Sequence, residues 1–196
     1  VQASTPTIDV MTTTTTTNTS NTSTTTNPTP PRLGDVVYRF RGELGALNPV
    51  GLFAEGIRFH NQFEGRIVDG PFAGGRISGP DFFVLRHDGV GEIHAPELIE
   101  LGHHRVAVDV RGYVVPPAGL AMPPLVALLE PGFEFPDLPF RITASALAST
   151  TSPEFDWLNA TSIVVEGAVN MATGDMDVTA RAVDAPFVVD PSDYRG

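Results

Sequence analysis

Between Gly65 and Ile93 the chain reads GRIVDGPFAGGRISGPDFFVLRHDGVGEI. Glycines and prolines break up short apolar runs every few residues. Glycine admits positive φ and close backbone approach, and proline presets a turn. A segment punctuated this way reads as antiparallel β-structure with tight corners. One carboxylate, Asp81, follows Gly79-Pro80 and opens a predicted strand.

The same grammar continues on both sides. Val36–Leu44 alternates and reads as a strand, and Gly56–Ile67 reads as extended with a bend. Phe82–Arg86 is a strand ended by the His87-Asp88-Gly89 turn. Gly91–Leu101 is another, with a break point at Pro96. Arg105–Val115 alternates strictly: Val106, Val108, Val110 and Val114 share one face, and Arg105, Asp109, Arg111 and Tyr113 share the other. A proline-rich crossing spans Val115–Pro139, with a short helix over Pro124–Leu129. Phe140–Ala148, Ser162–Asn170 and Met176–Ala182 supply the last strands, and Gly174-Asp175 suits the hairpin between the final two. About eight short strands and one short helix define an all-β barrel or sandwich.

Residues 12–31, TTTTTTNTSNTSTTTNPTPP, hold no aliphatic side chain and cannot offset their ordering entropy. The chain therefore divides into a disordered tail over 1–31, a β domain over 32–185 and a C-terminal tail over 186–196. Composition removes several function classes. Net charge is −11, and all 12 basic residues are arginine. Without lysine there is no Schiff base and no Walker-type phosphate loop. The acidic balance disfavours nucleic acid and anionic membranes as partners. Without cysteine there is no disulfide and no thiolate chemistry. No apolar run is long enough to span a membrane as a helix, and no signal-peptide pattern opens the chain. The expectation is a cytoplasmic protein. Neither a G-x-S-x-G elbow nor a dinucleotide fingerprint occurs, so no cofactor is expected.

The order of motifs adds a resemblance. G-P-F-x-G-G-x-x-x-G-x-D-F from Gly70 to Phe82, then the Arg86–Gly89 turn, resembles the domain of unknown function 3237 family of small barrels. Gly42–Leu44 resembles its first strand and following turn, and Val110–Gly112 its central arginine–glycine strand. Pro124–Glu130 matches its short helix by spacing. Phe140–Thr143 and Phe155–Asn159 resemble its late strand and its tryptophan–leucine–asparagine element. The likeness runs from about Val36 to Arg181 and implies a small antiparallel β-barrel with one short helix in the crossing loop. Closure also removes exposed edges.

Candidate site residues follow from chemistry and resemblance together. Asp81 is either a turn aspartate capping its own backbone or a lumen carboxylate acting as acid or base. Phe72, Phe82 and Phe83 are available as apolar walls. Arg111 falls on the family's arginine position, which implies a cation inside the barrel; the bland reading puts it on a solvated face. Tyr113 shares that face. His94, two residues after Glu92, is a proton shuttle or half of a metal site; no third ligand follows at a telling spacing, so no metal is expected. His103 and His104 read as surface, and His60 and His87 as loop residues. Phe155, Trp157 and Asn159 alternate. The resemblance implies that Trp157 and Asn159 meet a flat ligand, and a core anchor is the alternative. The set is Asp81, Arg111 and His94 for catalysis, with Tyr113, Trp157, Asn159 and Phe83 for substrate.

Fungal relatives in that family imply a cyclisation or isomerisation in secondary metabolism. The reading is a cofactor-free cyclase or isomerase acting on a small hydrophobic, aromatic, prenylated polyketide-like substrate in the lumen. Intramolecular hydroalkoxylation is one such reaction. A non-catalytic small-molecule-binding barrel is the alternative. A homodimer is expected from the general prevalence of dimers and from apolar outward-facing valines.

Overall fold

The computed structural model describes residues 34–183. The tails read over 1–31 and 186–196 lie outside the described residues. Nine strands form: β1 (Val36–Leu44), β2 (Pro49–Leu52), β3 (Gly56–Asp69), β4 (Arg76–Arg86), β5 (Gly91–Leu101), β6 (His104–Val115), β7 (Pro139–Thr150), β8 (Ser162–Asn170) and β9 (Asp175–Val183). The ladder runs β1-β9-β8-β7-β6-β5-β4-β3, and β1 pairs with β3 to close an eight-stranded antiparallel barrel. The short β2 lies outside the ring and pairs with β3. The closing seam needs glycine: Gly42 faces Gly65, and a Cβ on Gly42 would press into the Glu64 carbonyl.

Period-2 alternation decides what fills the barrel. Val106, Val108, Val110 and Val114 of β6 point inward. Beside them are Ile142 and Ala146 of β7, Ile163 and Val165 of β8, and Val178, Ala180 and Ala182 of β9. The valines therefore do not face outward, and the dimer argument built on them loses its footing.

One end of the barrel is plugged. Gly70 (φ +86°) and Gly74 (φ +88°) turn the β3–β4 corner tightly around Phe72. The Phe72 ring packs on Phe155 at 4.5 Å between centroids. Phe155 belongs to a 3-10 segment over Pro153–Ala160, which also buries Trp157 and Leu158. The other end carries β2, the β8–β9 turn and the crossing 116–138, whose helical part is a 3-10 turn at Leu125–Leu129. Leu120, Met122, Leu125, Leu128, Phe133 and Phe135 of the crossing pack against the core there.

Several local expectations change. Gly56–Ile67 does not bend; it is part of one 14-residue strand. Pro96 does not break β5, because it lies on the outer side of a strand whose other neighbour, β6, pairs with it at Asp109. Asp81 sits mid-strand in β4, opposite Asn61, since Gly79-Pro80 is absorbed into the ladder with β3. Phe155–Asn159 is helical, not alternating, following Pro153 at its start. His60 lies within β3, and His104 is half-buried, set edge-to-face against Phe155 and paired with Glu154 at 3.1 Å.

Candidate active site

Four polar side chains on neighbouring strands point into the otherwise apolar barrel: Tyr38 (β1), Asn61 (β3), Asp81 (β4) and Glu97 (β5). Each takes an inward position in its strand's alternation. Glu97 stands between Ala95 and Ile99, Asn61 between Phe59 and Phe63, and Asp81 one step before Phe83. Tyr38 and Asn61 are 1 % exposed, and Glu97 is 9 % exposed.

The hydrogen bonds form two short chains. Tyr38 Oη donates to Glu97 Oε2 at 3.0 Å. Asn61 Nδ2 donates to Asp81 Oδ2 at 3.4 Å, and the Asn48 backbone N–H donates to Asn61 Oδ1 at 3.1 Å. The second chain fixes the Asn61 amide: its oxygen is held by the loop after β1, so its NH2 faces Asp81. Asp81 Oδ1 is buried and has no partner.

Burial drives the acidities apart. It lifts Asp81 to about 6, against the Asn61 hydrogen bond, which pulls the other way. It lifts Glu97 further, to about 8; the Tyr38 hydrogen bond opposes this and the Asp81 charge adds to it. Burial first, then the Glu97 charge and hydrogen bond, raises the Tyr38 phenol well above its ordinary value. At neutral pH Asp81 is therefore mainly a carboxylate and Glu97 mainly a carboxylic acid. Tyr38 occupies Oε2, which leaves Oε1 to carry the Glu97 proton. Two like groups with separated acidities constitute an acid and a base.

Asp81 and Glu97 line a cavity of about 50 Å³, within about 550 Å³ of free space that includes its mouth. Phe40, Phe63, Phe83, Ile93, Val110 and Ile142 are among its walls. Gly91 makes room for Phe83, since a Cβ there would strike the phenyl ring. Leu44 and Met171 line this cavity and also an outer pocket of about 520 Å³ under Phe133 and Phe135, so the mouth lies on the crossing side. Among the described residues, no group of three or more histidines or carboxylates is placed to hold a metal ion. No helix among them is long and apolar enough to cross a membrane.

Of the residues singled out by sequence, Asp81 and Phe83 reach this cavity. Arg111, His94 and Tyr113 do not. The Arg111 and His94 side chains are 65 % and 36 % exposed and Tyr113 is 47 % exposed, all on the outer wall. There Asp109 Oδ1 lies 2.8 Å from His94 Nε2, and Arg111 Nη2 lies 3.1 Å from the same nitrogen. The expected inward arginine is corrected by strand parity: turning Arg111 in would expose four valines. Phe82 is likewise outside, between His60 and His94, and Phe72 belongs to the plug. Trp157 is buried near the plugged end with its Nε1 unpartnered. The Asn159 amide is engaged by Thr150, accepting from its N–H at 2.8 Å and donating to its carbonyl at 3.1 Å. Glu97, Tyr38 and Asn61 were missed. The signal for Glu97 was present: it is the one acid on the Ile93, Ala95, Ile99 face of a strand.

The fold and its interior define a small closed barrel with a carboxyl pair in an apolar cavity. The sequence matches no established family profile and no curated protein. Solved structures share the fold. A conserved protein of unknown function from Rhodopseudomonas palustris aligns with TM-score 0.59 and 19% identity, over 79% of this chain and 99% of its own. A β-barrel-like protein from Acinetobacter baumannii aligns with TM-score 0.58 and 22% identity, over 81% of this chain and 99% of its own. An enzyme from Penicillium herquei aligns with TM-score 0.50 and 18% identity, over 79% of this chain and 96% of its own.

Proposed function

We propose that this chain is a cofactor-independent acid–base enzyme, a cyclase or isomerase, working on a small hydrophobic aromatic molecule inside the barrel. The observation that carries the reading is the Asp81–Glu97 pair, one carboxylate and one acid at neutral pH, facing the apolar cavity. The barrel neighbour from Penicillium herquei is described as an enzyme, and the Gly70–Phe82 motif resembles the domain of unknown function 3237 family. Both favour catalysis over simple carriage.

Intramolecular hydroalkoxylation uses the pair fully. Asp81 accepts the proton of a phenolic O–H. Glu97 delivers its proton to one carbon of a prenyl C=C, and the phenolic oxygen closes on the other carbon. One O–H bond and one π bond are lost, and one C–H and one C–O bond form. A proton passed from Asp81 back to Glu97 restores the starting state. No oxidant or reductant enters. The apolar walls fold the prenyl chain and set the face of attack, largely a proximity effect. A keto–enol isomerisation uses the same two groups.

A non-catalytic carrier requires the cavity but not the separated acidities. Incubation with prenylated polyphenols, followed by chiral product analysis, tests the choice. Enantioenriched cyclic ether that disappears in Asp81→Asn supports the enzyme. Tight binding with no turnover across the series supports the carrier. We also propose self-association through the outer wall of β7 and β8, where Leu147 is 68 % and Val164 is 44 % exposed. Light scattering of the full chain reads this directly: a dimer supports it and a monomer at micromolar concentration contradicts it.

A further inference from the structure

The acid pair has a property apart from proton transfer. Asp81 Oδ1 is buried without a partner, and Asn61 reaches only Oδ2, at 3.4 Å. Among the described residues lining the cavity there is no arginine and no histidine; Glu97 is the other ionisable member, and it too is an acid. Tyr38 of β1 approaches through Glu97, and β6 to β9 contribute Val110, Ile142, Val165 and Val178. A carboxylate held there without a cation is costly. A guest that brings a donor, and above all a positive charge, offsets that cost. The net charge of −11 also disfavours the approach of anions.

We propose that the lumen is a charge-selective site. It takes an apolar body ending in a protonated amine most tightly, the same body ending in a neutral hydroxyl next, and rejects the matching carboxylate. This rests on the reading that the lumen is the ligand site, but requires no turnover there. An ammonium N–H donates to Asp81 Oδ1 and compensates its charge. A hydroxyl donates without compensating. A carboxylate meets one carboxylate and one donor, the Glu97 proton.

The test uses benzylamine, benzyl alcohol and benzoate, which share one ring size. Each is titrated into the full chain at pH 7.5, and binding is read from the methyl NMR signals of Met171 and Met176, which line the cavity. Benzylamine binds about tenfold more tightly than benzyl alcohol, and benzoate at least about tenfold more weakly than the alcohol. In Asp81→Asn the amine and the alcohol converge to within about threefold. Lowering the pH of the unmodified chain to about 5, which protonates Asp81, has the same effect and does not depend on a variant folding. Benzoate binding as tightly as benzylamine, a ranking unchanged in Asp81→Asn and at low pH, or no binding of any of the three overturns the proposal. Asp81-dependent turnover of a prenylated phenol alongside a wrong ranking removes this selectivity and leaves the catalytic reading standing.

Discussion

The barrel wall carries two clusters of ionisable groups, one on each side of nearly the same strands. Outside, His94, Asp109 and Arg111 join across β5 and β6. Inside, Asp81 and Glu97 sit on β4 and β5 with Asn61 and Tyr38 behind them. The outer cluster holds opposite charges in mutual contact and open to water. The inner one holds two acids, no cation and an apolar surround. Water screens the first and leaves it worth little. Its exclusion forces the second to keep a proton. The side of the pleat, more than the kind of residue, decides which cluster can do chemistry.

The largest expected effect separates the clusters by activity. Asp81→Asn and Glu97→Gln each lower turnover on an identified substrate by at least about a hundredfold, as loss of a general base or acid does. Arg111→Ala leaves turnover within about threefold, because its side chain lies outside the cavity. Steady-state rates on the three variants check this, and equal losses from the outer and inner sites would erase the distinction.

The next effect is on stability. The folded chain keeps the Glu97 proton up to about pH 8, whereas an unfolded glutamate releases it near 4.5. Between those values this group binds more protons in the folded state than in the unfolded one, so the Glu97 contribution to stability is greatest at low pH and is lost as pH rises through the window. Asp81 adds the same sign between 3.8 and about 6. Glu97→Gln removes most of the fall above pH 6, a gain on the order of 3 kcal/mol at pH 8.5. Urea unfolding of both proteins at pH 5, 7 and 8.5 measures it; parallel curves would mean that Glu97 titrates as if in water.

Smaller is the effect of the amide behind Asp81. The Asn61 hydrogen bond lowers the pKa of Asp81, so Asn61→Leu raises that pKa further. The acidic limb of the rate profile then moves to higher pH, and KM changes little. An unmoved limb would show that Asn61 only fills space. Smallest of all, His94→Ala changes stability by less than about 1 kcal/mol, as expected for an exposed pair. Thermal melts suffice to check it.

Strand pattern and turn residues made an all-β barrel or sandwich legible, because alternation and glycine turns are local signals; the family resemblance and the removal of edges favoured the barrel. Asp81 and Phe83 were found for the same reason: both stand in the most heavily punctuated stretch. Glu97 was overlooked beside the more eye-catching His94. The parity of β5, with Ile93, Ala95 and Ile99 inward, fixes which of the two faces the lumen. Arg111 drew attention by resemblance and was placed outward by its valine neighbours. The pairing of Tyr38 with Glu97, 59 positions apart, depends on barrel closure and has no local signature. Pro153–Ala160 is two 3-10 pieces kinked at Phe155, and it buries Phe155, Trp157 and Leu158 without the strand alternation that the spacing of Phe155, Trp157 and Asn159 suggests.

The most direct test is a carboxyl-detected NMR titration of the folded chain labelled with carbon-13, with Asp81→Asn and Glu97→Gln assigning the two signals. The account predicts one buried carboxyl titrating near 6 and another near 8, so that at neutral pH Glu97 holds a proton and Asp81 does not. Both groups titrating near 4, in the range of carboxyls in water, would contradict it.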